Sequence, residues 1–179
     1  YLVSTEKTEA IDICTRQLKT ARNMTEESAA LRELVFSGSV RANESKESSL
    51  LAFYQKWKSE PLVVDLWLGI QASCPLEGTL SKVRELMQHE SFDIKIPNKV
   101  RALISQFAAS NFVNFHNISG DGYKFLGDRV AELNEINPQI ASRLMVPLTR
   151  WRKYDETRQD MMKTEITRIL EIKSLSSDV

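Results

Sequence analysis

Residues 137–151 read Asn137-Pro138-Gln139-Ile140-Ala141-Ser142-Arg143-Leu144-Met145-Val146-Pro147-Leu148-Thr149-Arg150-Trp151, and their pattern decides the fold class. The Asn137 side chain can accept a backbone N–H of a first helical turn. Pro138 brings a φ already suited to the first helical position. Ile140, Leu144, Leu148 and Trp151 recur at helical spacing, so one side of this helix is buried. Pro147 lies inside the pattern and is expected to kink it. Gln139 and Arg143, four apart, share a face rotated by ~100° from the buried one.

The same period extends in both directions. Upstream, Leu126, Val130 and Leu133 follow a Ser119-Gly120-Asp121-Gly122 turn, and Val100, Leu103, Ile104 and Phe107 follow Pro97. Arg101 stands next to Val100 much as Gln139 stands next to Ile140. Earlier stripes are Leu80, Val83, Leu86 and Met87, then Leu50, Phe53, Tyr54 and Trp57 ahead of Pro61. Between those two, Leu62 to Ile70 is apolar almost all round except at Asp65, which predicts a central helix covered on most sides. Asn23 with Glu26 predicts a capped start for the stripe Leu31, Leu34, Val35. Downstream, Met162, Ile166, Ile169 and Leu170 mark a long last helix. Only Ser91 to Pro97 alternates polar with apolar, and Pro97 disfavours helix at Ile96, so an extended connector is expected there.

Helix after helix with short turns and no strand pair predicts an all-α fold. Antiparallel helix pairs would form an irregular αα-superhelix, solenoid-like and without significant sheet, since no repeat recurs at a fixed period. Residues 1–179 are read as a single helical domain segment. Ser176-Ser177-Asp178, a cluster of capping residues followed by one apolar residue, reads as a helix start whose helix is missing. The segment is therefore expected to be truncated at both ends, with a final helix absent after Val179.

Lys plus Arg and Asp plus Glu number 24 each, so no basic excess is available to neutralise a phosphate backbone or an anionic membrane surface. The longest apolar run is far too short to span a bilayer. The opening Tyr1-Leu2-Val3 turns polar at once, without a signal-peptide pattern. Three sequons (Asn23-Met24-Thr25, Asn43-Glu44-Ser45, Asn117-Ile118-Ser119) matter only in a secreted protein, and a cytoplasmic one is expected. The two cysteines, Cys14 and Cys74, are expected to be buried thiols.

The chemistry of catalysis is sparse. His89-Glu90-Ser91-Phe92-Asp93 imitates the zinc motif H-E-x-x-H, but it ends in Asp and crosses into the connector, so its ligands would not share a helical face. His116, between Phe115 and Asn117, reads as a hydrogen-bonded structural histidine. No nucleophile elbow, phosphate loop or calcium loop is present, so no catalytic and no metal-ligating residue is assigned. Arg150-Trp151-Arg152-Lys153-Tyr154-Asp155 mixes bases with aromatics, as a nucleic-acid stacking surface would. Asp155, Glu156 and Asp160 favour a self-paired helix junction instead. For Gln139, Arg143 and Arg101, pattern alone leaves open a solvated face or the lining of a cavity shared with another domain.

Several long stretches carry a resemblance. They are Ser91-Phe92-Asp93-Ile94-Lys95-Ile96-Pro97-Asn98-Lys99-Val100-Arg101-Ala102-Leu103-Ile104, then Phe115-His116, then Gly120-Asp121-Gly122-Tyr123-Lys124-Phe125-Leu126. Asn137-Pro138-Gln139-Ile140-Ala141-Ser142-Arg143-Leu144, Arg152-Lys153-Tyr154-Asp155 and Arg158-Gln159 continue the series, with Trp57 and Leu62-Val63-Val64-Asp65-Leu66-Trp67 a looser part of it. In this order, from Phe53 to Asp178, the chain resembles the C-terminal helical domain of bacterial-type aminopeptidase N, a family of gluzincin zinc aminopeptidases. The family's H-E-x-x-H and G-x-M-E-N motifs are absent from this sequence. The resemblance therefore implies a non-catalytic domain without a cofactor of its own, and zinc in the parent enzyme. The implied partners are the catalytic domain of the same polypeptide, whose active site this segment would cover, and peptide substrates whose access channel it would shape. No nucleic acid and no membrane are implied. The resemblance also implies that Gln139 and Arg143 face the substrate cleft and that Arg101 lies along the channel. Ser119-Gly120-Asp121-Gly122 reorders the family's Asp-Gly-Ser-Gly, and Phe112 stands where Pro is common. A free-standing helical scaffold that binds protein partners on a concave face is the competing reading.

Overall fold

A computed structural model describes residues 8–179; Tyr1-Leu2-Val3 lies outside the described residues. The helices run α1 (Thr8–Thr20), α2 (Met24–Phe36), α3 (Val40–Trp57), α4 (Pro61–Ala72), α5 (Thr79–Leu86) and α6 (Pro97–Val100). A π-helical turn (Arg101–Ser105) joins α6 to α7 (Gln106–Ser110). Then follow α8 (Phe112–Phe115), α9 (Asp121–Ile136), α10 (Pro138–Thr149), a 3₁₀ turn (Trp151–Lys153) and α11 (Glu156–Leu170). No strand occurs among the described residues.

Local chemistry sets the starts of these helices. Asn23 Oδ1 accepts the Glu26 N–H at 2.9 Å, while Glu26 reaches back one residue further than a capping box requires, to the Arg22 N–H at 3.1 Å. Ser39, Asn111, Asn137 and Asp155 cap α3, α8, α10 and α11 through their side chains, and Pro61, Pro97 and Pro138 open α4, α6 and α10. At the α9 start Gly120 takes φ 74°, a left-handed conformation that glycine adopts without steric cost. A Cβ on Gly122 would run into the Phe115 carbonyl, so the second glycine of that turn permits the close approach of α8.

Consecutive helices fold back on one another: α1 on α2, α2 on α3, α3 on α4, and α9 on both α10 and α11. One continuous core runs from Leu31 to Ile169, with α4 at its centre against the π turn, α2, α3 and α5. A smaller cluster of Ala10, Ile11, Cys14, Leu34 and Ala42 seats α1. Asp65, the polar break in the apolar α4, meets Lys99 at 2.7 Å, and both are largely buried. The contact is ionic rather than a good hydrogen bond, since Asp65 Oδ1 lacks a well-angled donor. Both cysteines are buried and free, and the Cys74 thiol contacts the Val35 carbonyl.

Two expectations change. The Ser91–Pro97 connector is not extended but a series of turns. Phe92 N–H bonds back to His89 O, Ile96 N–H to Asp93 O, and the Asp93 carboxylate accepts Lys95 N–H at 2.8 Å. Its side-chain hydrogen bonds outcompete the extended form that the alternation implied. Leu170 is 65% exposed, because α11 ends at that residue and the stripe leaves the core after Ile169. Pro147 lies inside α10, in the last turn before the helix ends at Thr149.

Candidate functional site

Two walls enclose a groove of about 280 Å³. One wall comes from the π turn, α7 and α8, with Ser105, Ala108, Ala109 and Phe112. The other comes from α10 and its end, with Arg143, Val146, Pro147 and Arg150. His116 and Tyr154 line it too. Asn137 Oδ1 accepts the Ile140 N–H at 3.2 Å and fixes the start of α10. Ile140, Leu144 and Leu148 then anchor it in the core, which turns the Gln139–Arg143 face outward. Pro147 has no N–H for the Arg143 carbonyl, its i−4 partner, so a backbone acceptor is left without its usual donor beside the groove.

The arginine and glutamine read from the sequence do not all meet. Arg143 lines the groove, is exposed, and makes no hydrogen bond or ion pair among the described residues. Gln139 is exposed on the same face one turn earlier, outside the groove lining. Arg101 is exposed at the start of the π turn and is already engaged, with Nη2 donating to Asn98 Oδ1 at 2.7 Å and Nε to Pro97 O at 3.4 Å. On the α7–α8 wall it is Ser105, not Arg101, that reaches the groove.

Behind the groove lies a polar chain that sequence reasoning saw only at one residue. His116 Nδ1 is 2.8 Å from the Tyr123 hydroxyl, and Nε2 is 2.9 Å from that of Tyr154, whose ring stacks on the imidazole at 4.2 Å. Arg158 Nε donates to the His116 carbonyl at 2.8 Å and its Nη1 pairs with Asp155 at 2.7 Å. Burial, helped by the Arg158 charge, pushes the His116 imidazole down to about 4, so it is neutral near pH 7. Burial also pushes the Tyr123 phenol up to about 12. Tyr123 is fully buried, and among the described residues His116 is its one hydroxyl partner. Its O–H therefore donates to Nδ1, because the opposite arrangement leaves a buried O–H unmet at a cost of ~1–3 kcal/mol. Nε2 then carries the proton and donates to Tyr154, and the Tyr154 O–H is left to donate into the groove.

The Arg150–Asp155 junction is self-paired only in part. Arg152 lies over the Trp151 ring at 4.2 Å and Asp155 pairs with Arg158, but the Arg150 side chain has no partner among the described residues and lines the groove. Arg150 and Tyr154 are the residues that pattern alone missed. The available signal was the Arg143-to-Arg150 spacing of two helical turns. Phe112 opens α8 at the N1 position, where Pro is well tolerated, and adds a 64% exposed ring to the groove.

No three His, Cys, Asp or Glu side chains converge among the described residues. His116 has both nitrogens engaged, and His89 bonds Ser91 at 2.7 Å and packs its ring against Tyr54 and Trp67. The described residues offer no ligand set that fits a zinc ion. No helix among the described residues is long and apolar enough to cross a membrane.

The family model described as domain of unknown function (DUF3458_C) ARM repeats matches residues 1–179. Aminopeptidase N of Haemophilus influenzae is 42% identical over 160 residues, 89% of this chain and 18% of that protein. Aminopeptidase N of Escherichia coli K12 is 39% identical over 168 residues, 93% of this chain and 19% of that protein. A crystal structure of Legionella pneumophila aminopeptidase A in complex with aspartic acid aligns with TM-score 0.86 and 35% identity, covering 94% of this chain and 19% of that one. The chain thus spans 18% to 19% of the length of these curated relatives.

Proposed function

The chain belongs to the family described as domain of unknown function (DUF3458_C) ARM repeats, and on that premise we propose for it a role in peptide hydrolysis. It is homologous to the C-terminal part of aminopeptidase N and of aminopeptidase A. In this reading the parent is a cytoplasmic, zinc-dependent enzyme that removes N-terminal residues from peptides. This chain holds no zinc itself. It covers the active site of the catalytic domain on the same polypeptide and shapes the channel along which peptides enter, with Gln139, Arg143 and Arg101 along the peptide's path.

The observation that carries the reading is the free Arg143 guanidinium at the groove, on a helix face that the core does not use. A peptide held by its amine at a zinc site must run its later residues outward past the covering domain. An arginine there can donate to peptide carbonyls, a charge-assisted bond of ~1.5–3 kcal/mol. The test is Arg143→Ala in the full-length enzyme, comparing kcat/KM for a tetrapeptide with that for an aminoacyl anilide. The ratio of the two is expected to fall by about tenfold, because only the longer substrate reaches Arg143. Equal losses on both substrates, or none on either, overturn the assignment.

A further inference from the structure

We propose that Arg150 and the Tyr154 hydroxyl form a seat for the C-terminal carboxylate of a peptide lying in the groove. The proposal rests on the groove being a peptide path, and it adds residues to that path which have no role so far.

The two side chains that bear polar groups at this end of the groove, Arg150 and Tyr154, can only be satisfied by an acceptor. Arg150 offers guanidinium N–H donors and accepts nothing. Three arginines are paired among the described residues: Arg129 with Glu132, Arg158 with Asp155, Arg168 with Glu165 and Asp128. Arg150 and Arg143 are not, and no Asp or Glu lines the groove. The Tyr154 hydroxyl is a donor by necessity. Its acceptor side takes the His116 Nε2 proton at 2.9 Å, and that tautomer is fixed from behind by the buried Tyr123 at 2.8 Å. A chain of two inner hydrogen bonds thus presents one outward O–H, stacked in place by the imidazole. A guanidinium with a hydroxyl donor matches a carboxylate, which is acceptor-only and carries lone pairs for both.

The surroundings specify what bears the carboxylate. Phe112, 64% exposed, and Val146, 44% exposed, form an apolar ledge on opposite walls, suited to an apolar side chain on the terminal residue. A volume of about 280 Å³ is at the small end of ligand clefts, in keeping with the end of a chain. Arg150 lies seven positions beyond Arg143, ~10 Å along the helix axis, which an extended peptide crosses in about three residues. One groove therefore holds both a mid-chain contact and a terminal one.

The experiment uses the full-length enzyme and one hexapeptide ending in leucine, long enough to pass Arg143 and reach Arg150, prepared both as the free acid and as the C-terminal amide. The free acid is expected to be preferred in kcat/KM by about tenfold. Arg150→Ala and Tyr154→Phe should each shrink that preference by threefold or more, and Arg150→Lys should restore part of it. A purely structural role lowers both substrates in proportion and leaves the ratio unmoved. An acid-to-amide ratio near one in the unaltered enzyme, or a ratio that both variants preserve, overturns the seat. The Arg143→Ala ratio measured above is independent of this one. If it falls while acid and amide remain equal, the peptide path stands and the seat is refuted.

Discussion

The two walls of the groove use the same residue for opposite ends. Asn137 caps α10 and Asn111 caps α8, each accepting an N–H three residues on, at 3.2 Å in both cases. Asn137 is half-buried, and its side chain caps the helix and no more. Asn111 is buried, and its Nδ2 also donates to Ala72 O at 3.0 Å and Cys74 O at 2.6 Å, tying α8 to the end of α4. The arginines diverge similarly: Arg143 on the α10 wall is free, whereas Arg101 on the other is held by Asn98 and Pro97. A regular, amphipathic helix leaves its outer groups available for a ligand. A broken α–π–α wall uses its polar groups to hold itself together.

The largest effect that can break this contrast is on the α8 wall. Asn111→Ala removes a cap and leaves the Ala72 carbonyl without its Nδ2 donor, while Cys74 O keeps the Thr79 hydroxyl at 2.9 Å, so a loss of ~2 kcal/mol or more is expected in equilibrium denaturation. A loss under about 1 kcal/mol would make Asn111 no different from Asn137.

The same wall carries His116, and pH sharpens the point. Its folded pKa of about 4 lies below the unfolded value near 6.5, so the unfolded chain binds the proton more readily between them. Stability is full above pH ~6.5 and declines as pH falls toward 4, by roughly 1–3 kcal/mol from this group. His116→Phe should be less stable at pH 7 yet flatter between pH 6.5 and 5, above the range where ordinary carboxylates titrate. An unchanged slope would remove His116 from the chain behind the groove.

On the α10 wall, Asn137→Ala should cost about 1 kcal/mol, the worth of a cap alone, read from the shift of the denaturation midpoint. Smallest is Arg101→Ala in the full-length enzyme. Its guanidinium already has partners, so the peptide-to-anilide ratio should shift by less than about threefold, in the direction given by Arg143→Ala. A shift equal to that of Arg143→Ala would erase the difference between the walls.

Most of the fold was legible because buried stripes repeat with the helical period whatever lies opposite them. Val100, Leu103, Ile104 and Phe107 are all fully buried, and so are Leu126, Val130 and Leu133. The connector was misread because alternation alone does not distinguish a strand from turns closed by the Asp93 carboxylate. At the site, the shared face of Gln139 and Arg143 follows from spacing on one helix, and Arg150 continues it seven positions on, but Tyr154 lies beyond a 3₁₀ turn where that spacing rule lapses.

By itself the sequence determined where helices begin and which side of each is wet, since caps, prolines and apolar period act within a few residues of chain. It also carried the long motifs that tie the chain to its family. Only the tertiary structure decided which wet groups face one another. Tyr123, His116 and Tyr154 are brought together by α8, α9 and the 3₁₀ turn, and burial among them fixes the imidazole's proton and the direction of the last hydroxyl. Whether an arginine is free or engaged is likewise a matter of neighbours distant in sequence, because desolvation and hydrogen-bond competition depend on what packs nearby and not on local period.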